Sequence, residues 1–179
     1  MSVVVANPSA SDNYFQFFGL TQQFNIDLSD LDQAYLAIQK EVHPDRHARG
    51  SETEKRLAMQ MATFANTAYQ TLKHPIQRGL YLCQLHGVDA KLETNTAMPA
   101  AFLMQQMEWR ESLDEKAEDL PSLEVLMDEV AQVKQETISE VVQAIDAAQN
   151  YGRAAELLRG LLFIDKFAIE LEDAISDLV

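Results

Sequence analysis

The sequence predicts an all-α protein in which a helical hairpin is joined to a bundle of three helices. Apolar residues recur three and four apart along nearly the whole chain, the spacing that lines one face of a helix. Six Gly and five Pro in 179 residues are too few for an all-β chain full of tight turns. No segment requires a strand. Hydrophobic residues make up 47% and charged residues 23%, the balance of a globular chain rather than a disordered one. The length suits one large or two small domains.

Residues 1–12 read as a loosely ordered tail. The apolar run Val3–Val5 has neither the basic flank nor the h-region of a secretory signal, and it lacks the Arg of a transit peptide. Tyr14 to Leu20 is aromatic-rich and closed by Gly19. Ser29 with Asp32 looks like a capping pair opening a helix with Leu31, Tyr35, Ile38 and Val42 on one face. That helix must end near Val42, because Pro44 pushes His43 out of the helical region. Ser51 with Glu54 opens the next, whose apolar line is Leu57, Met61, Phe64, Ala68 and Leu72. Pro75 suits a first helical position and Gly87 a C-terminal stop, with Ile76, Leu80, Cys83 and Leu85 between them.

Residues 88–97 are polar and aperiodic and read as a linker between a first domain, 13–87, and a second, 98–179. Pro99 opens a helix to about Ala117, and Pro121 opens another that breaks at Asn150 and Gly152. In the last helix Ala154, Leu157, Leu161, Ile164, Ala168, Leu171, Ile175 and Leu178 alternate three and four apart, the seam of coiled-coil-like packing. An antiparallel three-helix bundle follows.

Composition excludes several functions. Fourteen basic against 28 acidic residues leave a net charge of −14, the wrong sign for a nucleic-acid or anionic-membrane binder. The imbalance sits in the second half: residues 1–90 hold 7 basic and 9 acidic groups, residues 91–179 hold 7 and 19. Either the halves have separate partners or the second simply has more solvated helix surface. No stretch reaches the roughly 18 apolar residues of a membrane span, and the expected location is the cytoplasm. The single Cys83 cannot form an internal disulfide or a cysteine-based zinc site, and it reads as a buried, inert thiol. His43 and His47 are four apart, but Pro44 breaks the helix that would align them as metal ligands. Cys83 and His86 could touch on one helix, yet no third polar group or oxyanion loop accompanies them, so no enzyme is expected.

His43-Pro44-Asp45 lies between two amphipathic helices, where Pro44 stiffens the turn and presents its neighbours to solvent. Around it stand Tyr14-Phe15, Phe18-Gly19-Leu20, Tyr35, Arg46 and the run Asn66-Thr67-Ala68-Tyr69-Gln70-Thr71-Leu72. In this order and spacing the first ninety residues resemble a J domain, the module of DnaJ-type co-chaperones. The resemblance implies that the loop docks on the ATPase domain of a DnaK-class chaperone and accelerates ATP hydrolysis. His43 and Asp45 would make the contact, with Pro44 setting the loop and Lys40 and Arg46 as basic neighbours. The usual basic face of the preceding helix is reduced here, with Lys40 among Asp30, Asp32 and Glu41.

At about 100° per residue, the 99–117 helix puts Phe102, Trp109, Leu113 and Ala117 on one face. Leu103, Met104 and Met107 fall roughly opposite, beside Glu108, Glu111 and Glu115. A surface helix needs one apolar stripe, so the second stripe either packs on another helix or docks a partner. Phe163 points away from the last seam and has the same two options. Together with Leu72-Lys73-His74-Pro75, Arg78, Tyr81-Leu82 and Leu161-Leu162-Phe163-Ile164-Asp165-Lys166, this helix makes nearly the whole chain similar to the HscB-type J proteins of iron–sulfur cluster assembly. The resemblance implies a second domain that binds the iron–sulfur scaffold protein through Leu103, Met104, Met107, Glu108, Glu111, Glu115 and Phe163. It also implies a dedicated DnaK-class chaperone as partner, and no cofactor or metal. Met107 stands where the family often has Leu, and Leu162 replaces a frequent basic residue. The same face could instead serve a different protein client.

Overall fold

The computed structural model describes residues 13–42, 50–90 and 98–178. Among these there is no strand, and the all-α expectation holds. The chain divides into two compact units, Met1–Leu82 and Cys83–Val179.

The first unit holds α1 (Tyr14–Phe17), α2 (Leu28–Val42), α3 (Glu52–Lys73) and most of α4 (Pro75–Leu85), which runs on into the second. Asn13 and Gln16 form a full capping box on α1. The start of α2 differs from expectation. Asp27 Oδ1, not Ser29, accepts a backbone hydrogen bond, from Ser29 N at 2.7 Å. A carboxylate at this end is favoured over a hydroxyl because it also meets the positive end of the helix dipole. Asp32 is thereby released for another role. Ser51 and Glu54 form the expected reciprocal box on α3.

In the α2–α3 hairpin, Leu31, Ile38 and Val42 are buried against Ala65, Ala68 and Leu72. Tyr35 and Tyr69 stack 4.0 Å apart. Tyr35 Oη donates to Asn66 Oδ1 at 2.8 Å and Tyr69 Oη to Asp32 Oδ1 at 2.8 Å. Lys73 reaches the same Tyr69–Asp32 pair, and its hydrogen bond with Tyr69 is the main cause of an ammonium held above its ordinary pKa. These contacts lie along the second half of α3, and Leu57, expected on the apolar line, is exposed. Under the hairpin, Arg78 is 7% exposed. Its Nε donates to Phe24 O at 2.7 Å, its NH1 to Leu72 O at 2.6 Å, and its guanidinium lies 4.9 Å from the Phe24 ring centre. It ties the end of α3 to the loop before α2.

The second unit comprises the end of α4, then α5 (Ala100–Glu115), α6 (Leu120–Val142) and α7 (Tyr151–Ser176). Gly87 adopts φ 74° beyond α4, the left-handed position that favours glycine at a helix end. Most of the core lies between α6 and α7, with Leu123, Leu126, Val130 and Val141 buried on α6 and Leu158, Leu161, Ile164, Phe167 and Leu171 buried on α7. The sequence missed one feature: α6 passes into a π-helical turn, Gln143–Ala147. Gln149 follows with φ 51°, and Asn150 Oδ1 caps α7 through Arg153 N. The expected seam of α7 is buried at Ala154, Leu157, Leu161, Ile164 and Leu171, but Leu178 is exposed and Phe167 is buried as well. Two helices pack on α7, so its buried face is wider than a single seam.

Candidate functional site

Two surfaces carry the residues singled out by sequence. At the first, His43, Pro44, Asp45 and Arg46 lie outside the described residues. Lys40 is exposed in the last turn of α2. Gln39 Nε2 donates to both Asn66 Oδ1 and Tyr35 Oη, so the last turns of α2 are fixed to α3. Leu36, on the same helix and also exposed, was not singled out from the sequence. The available signal was its offset from the buried Leu31–Ile38 face.

The second surface is built on α5. Its inner face is anchored by Trp109, which is 2% exposed, stacks on Phe167 at 5.5 Å and donates from Nε1 to Glu129 Oε1 at 2.8 Å. Arg110 adds an ion pair to Glu170 at 3.0 Å. With that face held against α6 and α7, the opposite one is turned outward. Leu103 is 48% exposed, and Met104 and Met107 are 61% exposed each. Glu108, Glu111 and Glu115 are exposed beside them and, among the described residues, pair with no basic side chain. The result is an apolar strip bordered by uncompensated carboxylates, suited to a partner that offers apolar contacts within a basic rim.

Phe163 reaches the same region from α7, 45% exposed. Phe102, expected in the core, is half-buried, and its ring meets Phe163 edge-on at 6.3 Å. Leu162 is half-buried. Beside this pair a groove of about 780 Å³ opens between α5, α6 and α7, with Met98, Phe102, Gly160 and Ile164 among its walls.

Cys83 is fully buried, and burial pushes its thiol up to about 11. Its Sγ lies 3.5 Å from Tyr151 O, while His86 stacks flat on the Tyr151 ring at 3.8 Å. The two residues are spent on packing around Tyr151. Among the described residues no group of His, Cys, Asp and Glu side chains could hold a metal ion, and no helix is long and apolar enough to cross a membrane.

Residues 98–172 match the family model described as the HSCB C-terminal oligomerisation domain. The co-chaperone protein HscB homolog of Ralstonia nicotianae is 46% identical over 172 residues, 95% of this chain and 98% of the relative. That of Bordetella avium is 44% identical, covering 90% and 96%. Among solved structures, chaperone HscB from Vibrio cholerae superposes with a TM-score of 0.83 at 34% identity, covering 94% of this chain and all of that one. The human co-chaperone protein HscB gives 0.86 at 30% identity, covering 92% and 83%. Identity at this level across nearly the whole length, in both sequence and structure, places the chain in the HscB family of co-chaperones.

Proposed function

We propose that the protein couples an iron–sulfur scaffold protein to a DnaK-class chaperone in the cytoplasm. The observation that carries this reading is the outward strip of α5. A helix already anchored by Trp109 leaves Leu103, Met104 and Met107 in solvent beside three unpaired carboxylates. The scaffold docks there, with Phe163 extending the contact. Methionine adapts to a partner's shape, and Glu108, Glu111 and Glu115 select its basic groups.

At the other end of the chain, His43 and Asp45 contact the chaperone, Pro44 sets their loop, and Lys40 and Arg46 steer the approach. The protein performs no chemistry of its own and needs no cofactor. It raises the chaperone's ATPase by favouring a hydrolysis-competent state, which requires contacts that differ between the chaperone's states. Holding the scaffold on one unit and the chaperone on the other turns delivery into an encounter at high effective concentration.

Calorimetric titration of the chain with purified scaffold tests the docking face. The wild-type protein is expected to bind saturably. The variant Leu103→Ala with Met104→Ala and Met107→Ala is expected to lose about 3–6 kcal/mol, because the solvent-exposed part of each side chain is worth about 1–2 kcal/mol on burial. Its helicity should be unchanged. Equal binding by both proteins would refute the face. Absent binding by a wild-type chain that still stimulates the chaperone would point to a different client.

A further inference from the structure

We propose that Met104 and Met107 are a paired oxidation site through which a hydroperoxide weakens scaffold binding. The inference rests on the docking face described above. The chain has seven methionines, and among the six that are described Met59, Met104 and Met107 are exposed, at 72%, 61% and 61%. Met61, Met98 and Met127 are partly covered. Met98 Cε, for example, would lie 3.5 Å from a side chain added at Gly160. Two of the three open thioethers among the described residues thus stand three residues apart on one helix face, within the strip assigned to the partner. The lone cysteine does not compete for oxidant, since Cys83 is fully buried and its thiol is held up at about 11.

The chemistry is a two-electron oxygen transfer. The thioether sulfur attacks one peroxide oxygen, the O–O bond breaks and an S–O bond forms. The departing hydroxide takes up the other peroxide proton and leaves as water. Sulfur is oxidised and the peroxide reduced, and methionine sulfoxide reductases reverse the step. The product replaces an adaptable apolar group with a dipole that accepts hydrogen bonds. Its neighbours on this face include Leu103 and the carboxylates of Glu108 and Glu111, which donate nothing, while Arg110, three residues after Met107, directs its guanidinium to Glu170. Docking would therefore bury the sulfoxides without donors from their own face, a loss of roughly tenfold in affinity for each.

The full chain is treated with hydrogen peroxide, oxidised positions are mapped by peptide mass spectrometry, and scaffold binding is titrated before and after. Met104 and Met107 should gain oxygen together with Met59 and ahead of Met61, Met98 and Met127. Affinity should fall at least about tenfold and return after reductase treatment. In the Met104→Leu, Met107→Leu variant, the ratio of affinities before and after peroxide should be one, whatever its starting affinity. Met59→Leu should lose affinity as the wild type does. Protection of Met104 and Met107 in the map, or unchanged affinity with both oxidised, would overturn the inference and leave the docking face standing. Absence of binding by the untreated chain would remove the face itself, and the inference with it.

Discussion

Arg78→Met should destabilise the first unit while leaving the second intact. Arg78 makes charge-assisted hydrogen bonds to Phe24 O at 2.7 Å and to Leu72 O at 2.6 Å, and both acceptor residues are themselves almost fully buried. Methionine keeps much of the volume but donates nothing. Each carbonyl left without a donor costs about 1–3 kcal/mol, and the lost contact with the Phe24 ring adds about 0.5–1. Against this, the variant no longer buries a charge, which offsets part of the penalty. A net loss of about 2–4 kcal/mol remains. For a unit of this size that is a fall in Tm of roughly 10–25 °C. The single tryptophan, Trp109, lies in the second unit, so its fluorescence reports that unit alone, while far-UV circular dichroism reports both. In Arg78→Met the dichroism melt should gain an early phase, and the fluorescence melt should keep its wild-type midpoint. Coincident melts at the wild-type temperature would refute the assigned role of Arg78. Coincident melts at a lower temperature would show that the two units unfold as one.

Two further predictions concern the second unit. Gly160→Ala should stabilise α7 by about 0.5–1 kcal/mol, measured by urea denaturation, because the added methyl would meet Met98 and Phe102 at 3.5–3.6 Å, ordinary contact distances, and glycine is a poor helix residue. Cys83 should resist a thiol reagent at pH 8 and react fast once unfolded. Its folded pKa, about 11, lies above the unfolded value of 9.0, so its contribution to stability is present below pH 9 and declines as pH rises from 9 through 11. Fast modification of the folded chain at pH 8 would contradict this.

Most of the architecture was legible because helical periodicity and end signals agreed. Pro75, Gly87 and the Ser51–Glu54 pair each mark the boundary their chemistry implies. The start of α2 was misread because Asp27, Ser29, Asp30 and Asp32 are all plausible caps. Only tertiary structure commits Asp32 to Tyr69 across the hairpin. Nothing in the apolar periodicity marks Arg78 as a core residue. Its burial depends on carbonyls from Phe24 and Leu72, which sequence periodicity does not bring together. The π-helical turn at 143–147 escaped because it lies at the end of α6, where too few apolar residues follow to show the change of phase. On α5, periodicity separated the Trp109 face from the Leu103–Met104–Met107 face but left the second face with two possible roles. Trp109, stacked on Phe167 and bonded to Glu129, turns that face to solvent. Phe163 was equally ambiguous, and it sits half-exposed with its ring against Phe102.

In the proposed function one chain holds a chaperone-activating loop and a separate scaffold-docking face. Single-turnover ATP hydrolysis by the DnaK-class chaperone, with scaffold present, tests this arrangement most directly when wild type is compared with His43→Gln. The wild-type protein should accelerate hydrolysis. His43→Gln should lose that acceleration while titrating the scaffold with unchanged affinity. Full stimulation by His43→Gln, or loss of scaffold binding in the same variant, would contradict the division of labour between the two surfaces.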